Sequence, residues 1–116
     1  MQNLSYEFII KYHDKINWQC LCQTRQLHYD FIKENSNIVD WFNISSWQIL
    51  NEEQIREFRH LVNWKEISPC QKLSMPFIEE FKEYVDWDNI SRWQILNNDF
   101  ITKFSNLVKH KNYVNG

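Results

Sequence analysis

The sequence predicts an all-α fold: one solenoid of five stacked helix–turn–helix repeats, each a long helix followed by a short helix. The main observation is a period of 23 residues, which is typical of stacked repeat proteins. Only one glycine and two prolines interrupt the 116 residues, which favours helices with short turns over a sandwich or a barrel. Leucine and tryptophan mark the period, with His110 in the fifth tryptophan slot: Leu4, Leu27, Leu50, Leu73, Leu96; Trp18, Trp41, Trp64, Trp87.

The start of the first helix is clearest in the fourth repeat. Ser74 can cap the helix with its hydroxyl, and Pro76 is tolerated in a first turn, where no amide donor is needed. Leu73 before the cap and Ile78 at the fourth helical position form a hydrophobic staple. We expect a first helix of about 11–13 residues. The same staple recurs in the other repeats as Leu4–Ile9, Leu27–Ile32, Leu50–Ile55 and Leu96–Ile101.

The first helices are predicted to end at short polar residues, which tolerate the left-handed backbone that glycine would otherwise supply. These residues are Asn17, Asp40, Asn63 and Asp86. A second helix of one or two turns is expected to follow, with Pro69 at a first helical position. Three segments predict its start through a capping box, serine at the cap and glutamine three residues later: Ser45–Gln48, Ser68–Gln71 and Ser91–Gln94.

The length and composition indicate a single domain, residues 1–116, with a substantial core. Hydrophobic residues make up 43% and the net charge is −2, so the chain is expected to fold. The three cysteines form no framework and no signal peptide precedes them, which favours an intracellular, reduced protein. No apolar run is long enough to span a membrane. The five repeats are assigned to residues 4–26, 27–49, 50–72, 73–95 and 96–116.

A motif within the repeats resembles a known group of proteins. The pattern Val-Asp-Trp-x-x-Ile-Ser-x-x-Gln-x-Leu-[Ser/Asn]-x-x-Phe-Ile occupies residues 85–101, and residues 39–55 match it except that Gln54 replaces Phe. It resembles short tandem repeats in uncharacterised proteins of large DNA viruses of protists, mimivirus-like and phycodnavirus-like. The Asn-, Ile- and Lys-rich composition is similar to that of proteins encoded by AT-rich viral genomes. The resemblance implies a viral source, in the host cytoplasm or the virion, and a solenoid; it implies no catalytic residue.

The residues that commonly form catalytic or metal sites occupy repeat positions here. Cys20 and Cys22, flanked by His13 and His28, lack the spacing of a zinc site. Cys70 stands in a slot that tryptophan fills elsewhere. Adjacent acids such as Glu52–Glu53 and Glu79–Glu80 lie at predicted helix N-termini, where the helix dipole favours them. We therefore expect no enzymatic activity, no catalytic residues, no metal and no cofactor.

The periodic tryptophans are expected to pack between repeats. Base-stacking platforms would require basic neighbours, but Asn or Asp precedes each of these tryptophans. A nucleic-acid site would therefore depend on the basic tail from Lys103 to Lys111, including Lys109. Three lysines in a chain of net charge −2 predict only weak, salt-sensitive binding.

A second period of 46 residues distinguishes repeats two and four. Trp47 with Ile49, and Trp93 with Ile95, appear there, whereas repeats one and three carry Thr24 with Gln26 and Cys70 with Lys72. Because Trp47 and Trp93 share a helical face with core residues, a core role remains open. The alternative is a protein-contact surface, since exposed aromatic and aliphatic side chains mark interfaces.

These observations predict a non-enzymatic, protein-binding or scaffold module, viral in origin, that presents Trp47, Ile49, Trp93 and Ile95 to a protein partner. Two alternatives remain. The first is a self-assembling structural protein of the virion, whose terminal repeats stack end to end. The second is a weak nucleic-acid binder that uses the basic tail.

Overall fold

The computed structural model describes residues 4–108, and every regular element within that range is an α-helix. The prediction of an all-α fold is therefore confirmed. Each helix contains only six or seven residues. The helices are α1 (Tyr6–Lys11), α2 (Trp18–Thr24), α3 (Tyr29–Glu34), α4 (Trp41–Trp47), α5 (Glu52–Glu57), α6 (Trp64–Cys70), α7 (Met75–Glu80), α8 (Trp87–Trp93) and α9 (Asn98–Lys103).

The predicted cap of the fourth repeat is confirmed, and the first helices of the other repeats are capped in the same way. Ser74 accepts a hydrogen bond from the Phe77 amide through its hydroxyl, and Asn51 forms a reciprocal capping box with Gln54. His28 also caps its helix, because its Nδ1 atom accepts from the Asp30 amide at 3.2 Å. Side-chain acceptors at these positions satisfy amides that have no partner within the helix. Ser5 and Asn97 cap α1 and α9 in the same way.

The first helices are much shorter than predicted. α5 ends at Glu57, and the chain then turns through hydrogen bonds from the Leu61 and Val62 amides to the Phe58 carbonyl. The residues predicted to end the first helices instead begin the second ones; Asn63, for example, accepts from the Glu66 amide. No residue of the described chain has a positive φ, so the predicted left-handed exits are wrong. Asn17, Asp40, Asn63 and Asp86 are N-caps, a role that short polar acceptors fill equally well.

The predicted capping boxes of the second helices are also wrong. Ser45 lies inside α4, buried, and its hydroxyl oxygen accepts from the Asn63 amide at 2.9 Å. Ser68 does the same for the Asp86 amide at 2.9 Å. Pro69 is likewise inside α6 rather than at its first position. These two serines therefore join α4 to the start of α6, and α6 to the start of α8. Gln48, Gln71 and Gln94 are the C-caps of these helices.

The interior proline of α6 is compensated by the following repeat. Proline has no amide hydrogen, so the carbonyl four residues earlier loses its helical partner. That carbonyl belongs to Lys65, and the Asn89 side-chain amide donates to it at 3.3 Å. A polar side chain of α8 thus replaces the missing hydrogen bond.

Buried glutamines bridge successive repeats. Gln71 donates through Nε2 to the carbonyls of Ser45 and Gln48, at 2.8 and 2.6 Å, and its Oε1 accepts from the Leu50 amide at 3.1 Å. These groups lie at the C-terminal end of α4, where carbonyls lack helical partners. Gln48 and Gln94 make the equivalent three bonds, two to carbonyls of the preceding repeat and one to the leucine amide at the start of their own repeat. Arg25 occupies this slot in the first repeat and donates to the Leu4 carbonyl.

The apolar core runs along the whole described chain. It consists of the staple leucines and isoleucines, together with the isoleucines of the second helices and several phenylalanines. The second helices α2, α4, α6 and α8 pack against one another in chain order. The molecule measures 49 × 26 × 18 Å, with a radius of gyration of 16.1 Å. No helix of residues 4–108 is long and apolar enough to cross a membrane.

Candidate interaction surface

The backbone after each second helix separates buried from exposed side chains. α4 ends at Trp47, and its C-cap Gln48 is extended, with φ −81° and ψ 145°. Neighbouring side chains of an extended chain point to opposite sides. Gln48 and Leu50 are therefore buried, whereas Trp47 and Ile49 are 46% and 80% exposed. The fourth repeat repeats this arrangement, with Trp93 66% and Ile95 86% exposed.

These exposures settle where the four candidate side chains lie. The core role left open for Trp47 and Trp93 is wrong, because both side chains are exposed. We call Trp47, Ile49, Trp93 and Ile95 the apolar edge.

A side chain of the preceding repeat fixes the backbone of the apolar edge at Ile49. The Oε1 atom of Gln26 accepts from the Ile49 amide at 3.0 Å, and its Nε2 atom donates to the Ile49 carbonyl at 3.3 Å. The backbone amide and the backbone carbonyl of Ile49 therefore both have a hydrogen-bond partner within the protein. These two bonds hold the backbone of the exposed Ile49 in place.

A shallow cavity accompanies the fourth-repeat part of the apolar edge. Trp93 and Ile95 line it together with Pro69, Cys70 and Lys72 of the third repeat, and its volume is about 290 Å³. Burial, and then the nearby Glu66 carboxylate, raise the pKa of the Cys70 thiol above its ordinary value.

The periodic tryptophans lie between repeats, as predicted. Trp64 stacks on Phe81 of the next repeat with ring centroids 5.2 Å apart, and Trp87 contacts Phe104 at 5.4 Å. Each indole Nε1 donates to the carbonyl five residues earlier; for Trp64 this is the Arg59 carbonyl, at 2.9 Å. The same bond forms at Trp18, Trp41 and Trp87.

The cysteine–histidine segment of the first repeat has structural contacts. Cys22 is buried, and burial followed by the Asp40 carboxylate raises the pKa of its thiol to about 12. The His13 carbonyl accepts from Trp18, and His28 caps α3. Within residues 4–108, no three His, Cys, Asp or Glu side chains come together as metal ligands would.

The paired acids also make contacts within the protein. Glu52 accepts from the amide and the hydroxyl of Ser74, at 2.6 and 3.1 Å. Glu79 forms an ion pair with Lys103 at 2.7 Å, so this lysine of the predicted basic tail is bound to an acid. The remaining tail residues, Lys109, His110 and Lys111, lie outside the described residues.

One exposed aromatic pair was not recognised as a site from the sequence. Phe8 and Tyr12 contact each other at 4.6 Å on the first repeat and are both exposed. The signal was present, because Phe8 stands in the slot of Phe31, Phe77 and Phe100. Recognising it required knowing which face of a repeat contacts the tryptophan of the preceding repeat.

No protein-family model, curated protein or solved structure matches the chain.

Proposed function

We propose that the chain is a non-enzymatic α-solenoid of five repeats that binds a protein partner as a scaffold module. The observation that carries this proposal is the exposure of Trp47, Ile49, Trp93 and Ile95, the apolar edge. The resemblance of the repeat motif to repeats of viral proteins supports a role in an infected cell or a virion. The contacts of the cysteines, histidines and paired acids within the fold support a role without catalysis.

The solenoid part of the proposal is supported by bonds that recur with the repeat. Gln48, Gln71 and Gln94 each donate through Nε2 to two carbonyls of the preceding repeat. The radius of gyration, 16.1 Å, exceeds the roughly 13 Å expected of a compact domain of this length. Contacts restricted to neighbouring repeats produce such an elongated form.

The binding part of the proposal is supported by the chemistry of the apolar edge. Tryptophan is enriched among the residues that dominate binding energies, and exposed aliphatic side chains favour burial against a partner. Two tryptophan–isoleucine pairs, one in each of two alternate repeats, provide two anchors on one rigid support. A partner that covers both pairs gains affinity without first ordering the protein.

The test is a double substitution, Ile49→Ala with Ile95→Ala, combined with proximity labelling in infected cells. Both side chains are exposed, so the free energy of unfolding should change by less than about 0.5 kcal/mol. The labelling of specific partners should fall at least tenfold. Leu61→Ala is the matched control, because Leu61 is an exposed aliphatic side chain outside the apolar edge. An unchanged set of labelled partners, or a large loss of stability, would refute the proposal.

A further inference from the structure

The first repeat carries an aromatic pair that the later repeats also contain. Phe8 and Tyr12 contact each other with centroids 4.6 Å apart. The residues in the same slots of the fourth repeat, Phe77 and Phe81, are 4.7 Å apart. The fifth repeat has the same pair at the same distance, 4.7 Å, in Phe100 and Phe104. The same surface element is therefore formed three times.

In the later repeats, an indole from the preceding repeat covers this pair. Trp87 contacts Phe100 and Phe104 with centroids 6.1 and 5.4 Å away, and both phenylalanines are buried. Phe8 and Tyr12 are 44% and 37% exposed. None of the six tryptophans, all within residues 4–108, stacks on them. The first repeat thus presents the receiving half of the contact between repeats.

The surroundings of Phe8 and Tyr12 are those of an indole site. They border a cavity of about 620 Å³ that Leu4, Ile16 and Leu21 also line, a size within the range of ligand pockets. Lys11 lies 5.5 Å from the Tyr12 ring, but this does not block an indole. Lys103 lies at a similar 5.6 Å from Phe104 while Trp87 contacts the same ring.

The charges of the cavity indicate what accompanies the indole. Lys15 and Arg25 line it, and no acidic residue does. Lys15 stands in the slot of Tyr84, whose ring lies 5.5 Å from Trp64, so it would lie beside a bound indole. A cation over an indole face is favourable. Asp precedes tryptophan in the second and fourth repeats, and an acidic neighbour of this kind complements the two cations.

We propose that the Phe8–Tyr12 cavity, here called the indole site, binds a tryptophan at the start of a partner helix in which Asp precedes the tryptophan. This contact continues the interface between repeats into a second protein. A second copy of the chain is a poorer source, because its fifth tryptophan slot holds His110. The indole site is separate from the apolar edge, so either proposal can fail alone.

The test uses the full chain and a synthetic peptide with the sequence of residues 84–92, which contains Asp86 and Trp87. Titration followed by NMR should give saturable shifts of the Phe8 and Tyr12 ring resonances. The same peptide with alanine in place of Trp87 should give none. Phe8→Ala should weaken binding at least tenfold. Lys15→Glu, a change at an exposed position that preserves the fold, should weaken binding severalfold.

Trp93→Ala is the control, because it alters the apolar edge and should leave peptide binding unchanged. No saturable shift at millimolar peptide, or binding insensitive to both Phe8→Ala and Lys15→Glu, overturns the proposal. Sedimentation of the chain alone tests whether a second copy of the chain occupies the indole site. Self-association that Phe8→Ala abolishes would make a second copy the occupant and would overturn the assignment to a partner helix.

Discussion

The buried glutamine is the residue that replaces glycine at the ends of the second helices. Glycine commonly ends a helix because its left-handed conformation lets the backbone satisfy the last carbonyls. Here Gln71 of one repeat satisfies the carbonyls of Ser45 and Gln48 in the repeat before it. Its amide offers two donors and one acceptor, which match two carbonyls and one backbone amide. The backbone can therefore leave the helix in an ordinary extended conformation.

At this scale we predict that Gln71→Ala destabilises the protein strongly. The substitution leaves two carbonyls and the Leu50 amide without their partner in a buried site, at a cost of about 3 kcal/mol. Gln26→Ala is the matched control, because Gln26 also bonds a neighbouring backbone but at an exposed site where water replaces it. Gln26→Ala should lower the free energy of unfolding by less than about 1 kcal/mol. Urea denaturation measures both, and equal losses would contradict the bridging role.

The glutamine and serine positions show why local sequence rules failed here. Ser68 and Gln71 are three residues apart, as a capping box requires, so the local pattern was satisfied. Their hydrogen-bond partners are far away in sequence: the Asp86 amide for Ser68, and the Ser45 and Gln48 carbonyls for Gln71. Because these groups meet only when the repeats stack, no rule confined to one helix start identifies them.

Among the elements, the first helices are joined by exposed ion pairs. Lys33 of α3 pairs with Glu57 of α5 at 3.2 Å, and Arg56 of α5 pairs with Glu80 of α7 at 2.7 Å. The Tyr29 hydroxyl donates to Glu57 as well. Burial, followed by this hydrogen bond, raises the pKa of Tyr29 to about 12. These contacts follow the same order along the chain as the glutamine bridges.

For these elements we predict a pH-dependent contribution from Glu80. The hydrogen bond from Arg56 lowers the pKa of the Glu80 carboxyl below its ordinary value of 4.5. A carboxyl whose pKa is lower in the folded state stabilises the fold above its unfolded pKa, and this contribution disappears as the pH falls through the folded pKa. Glu80→Gln should therefore lower Tm slightly at neutral pH and leave it unchanged in strong acid.

Thermal unfolding at a series of pH values checks this prediction. The effect should also decrease with added salt, since the pair is exposed and screened. Glu83→Gln is the control, because Glu83 is exposed and forms no ion pair among the described residues. A Tm difference for Glu80→Gln that persists in acid would show that the carboxylate charge is not its cause.

The elements also show which helix features a sequence predicts. A cap such as that of α7 is predictable because it depends on residues within one turn. The lengths of the first helices could not be predicted, because the apolar spacing continues past the end of each helix. Phe81 and Val85, which extend the spacing of α7, are buried in the turns that follow it. Burial alone therefore does not distinguish a helix from a compact turn.

For the whole molecule, the sequence period identified the candidate surface but not its exposure. Repeats two and four differ from one and three at Trp47, Ile49, Trp93 and Ile95, and the printed sequence shows this directly. Whether these four side chains are buried or exposed depends on the residue at which α4 and α8 end. The residue after each helix is extended, so the side chain that follows it points to the opposite side of the chain. The end of each helix is fixed by the glutamine bridge, which forms between repeats.

The last prediction concerns how stability is distributed over the molecule. Ile9 and Ile55 occupy the same slot and are both fully buried, so replacing either by alanine should cost about 2–5 kcal/mol. In the proposed solenoid, a central repeat supports two neighbours and the first repeat supports one. Ile55→Ala should therefore reduce hydrogen-exchange protection throughout the chain, whereas Ile9→Ala should reduce it mainly in α1 and α2. If both variants lose protection equally everywhere, the repeats unfold as one unit and the nearest-neighbour description is wrong.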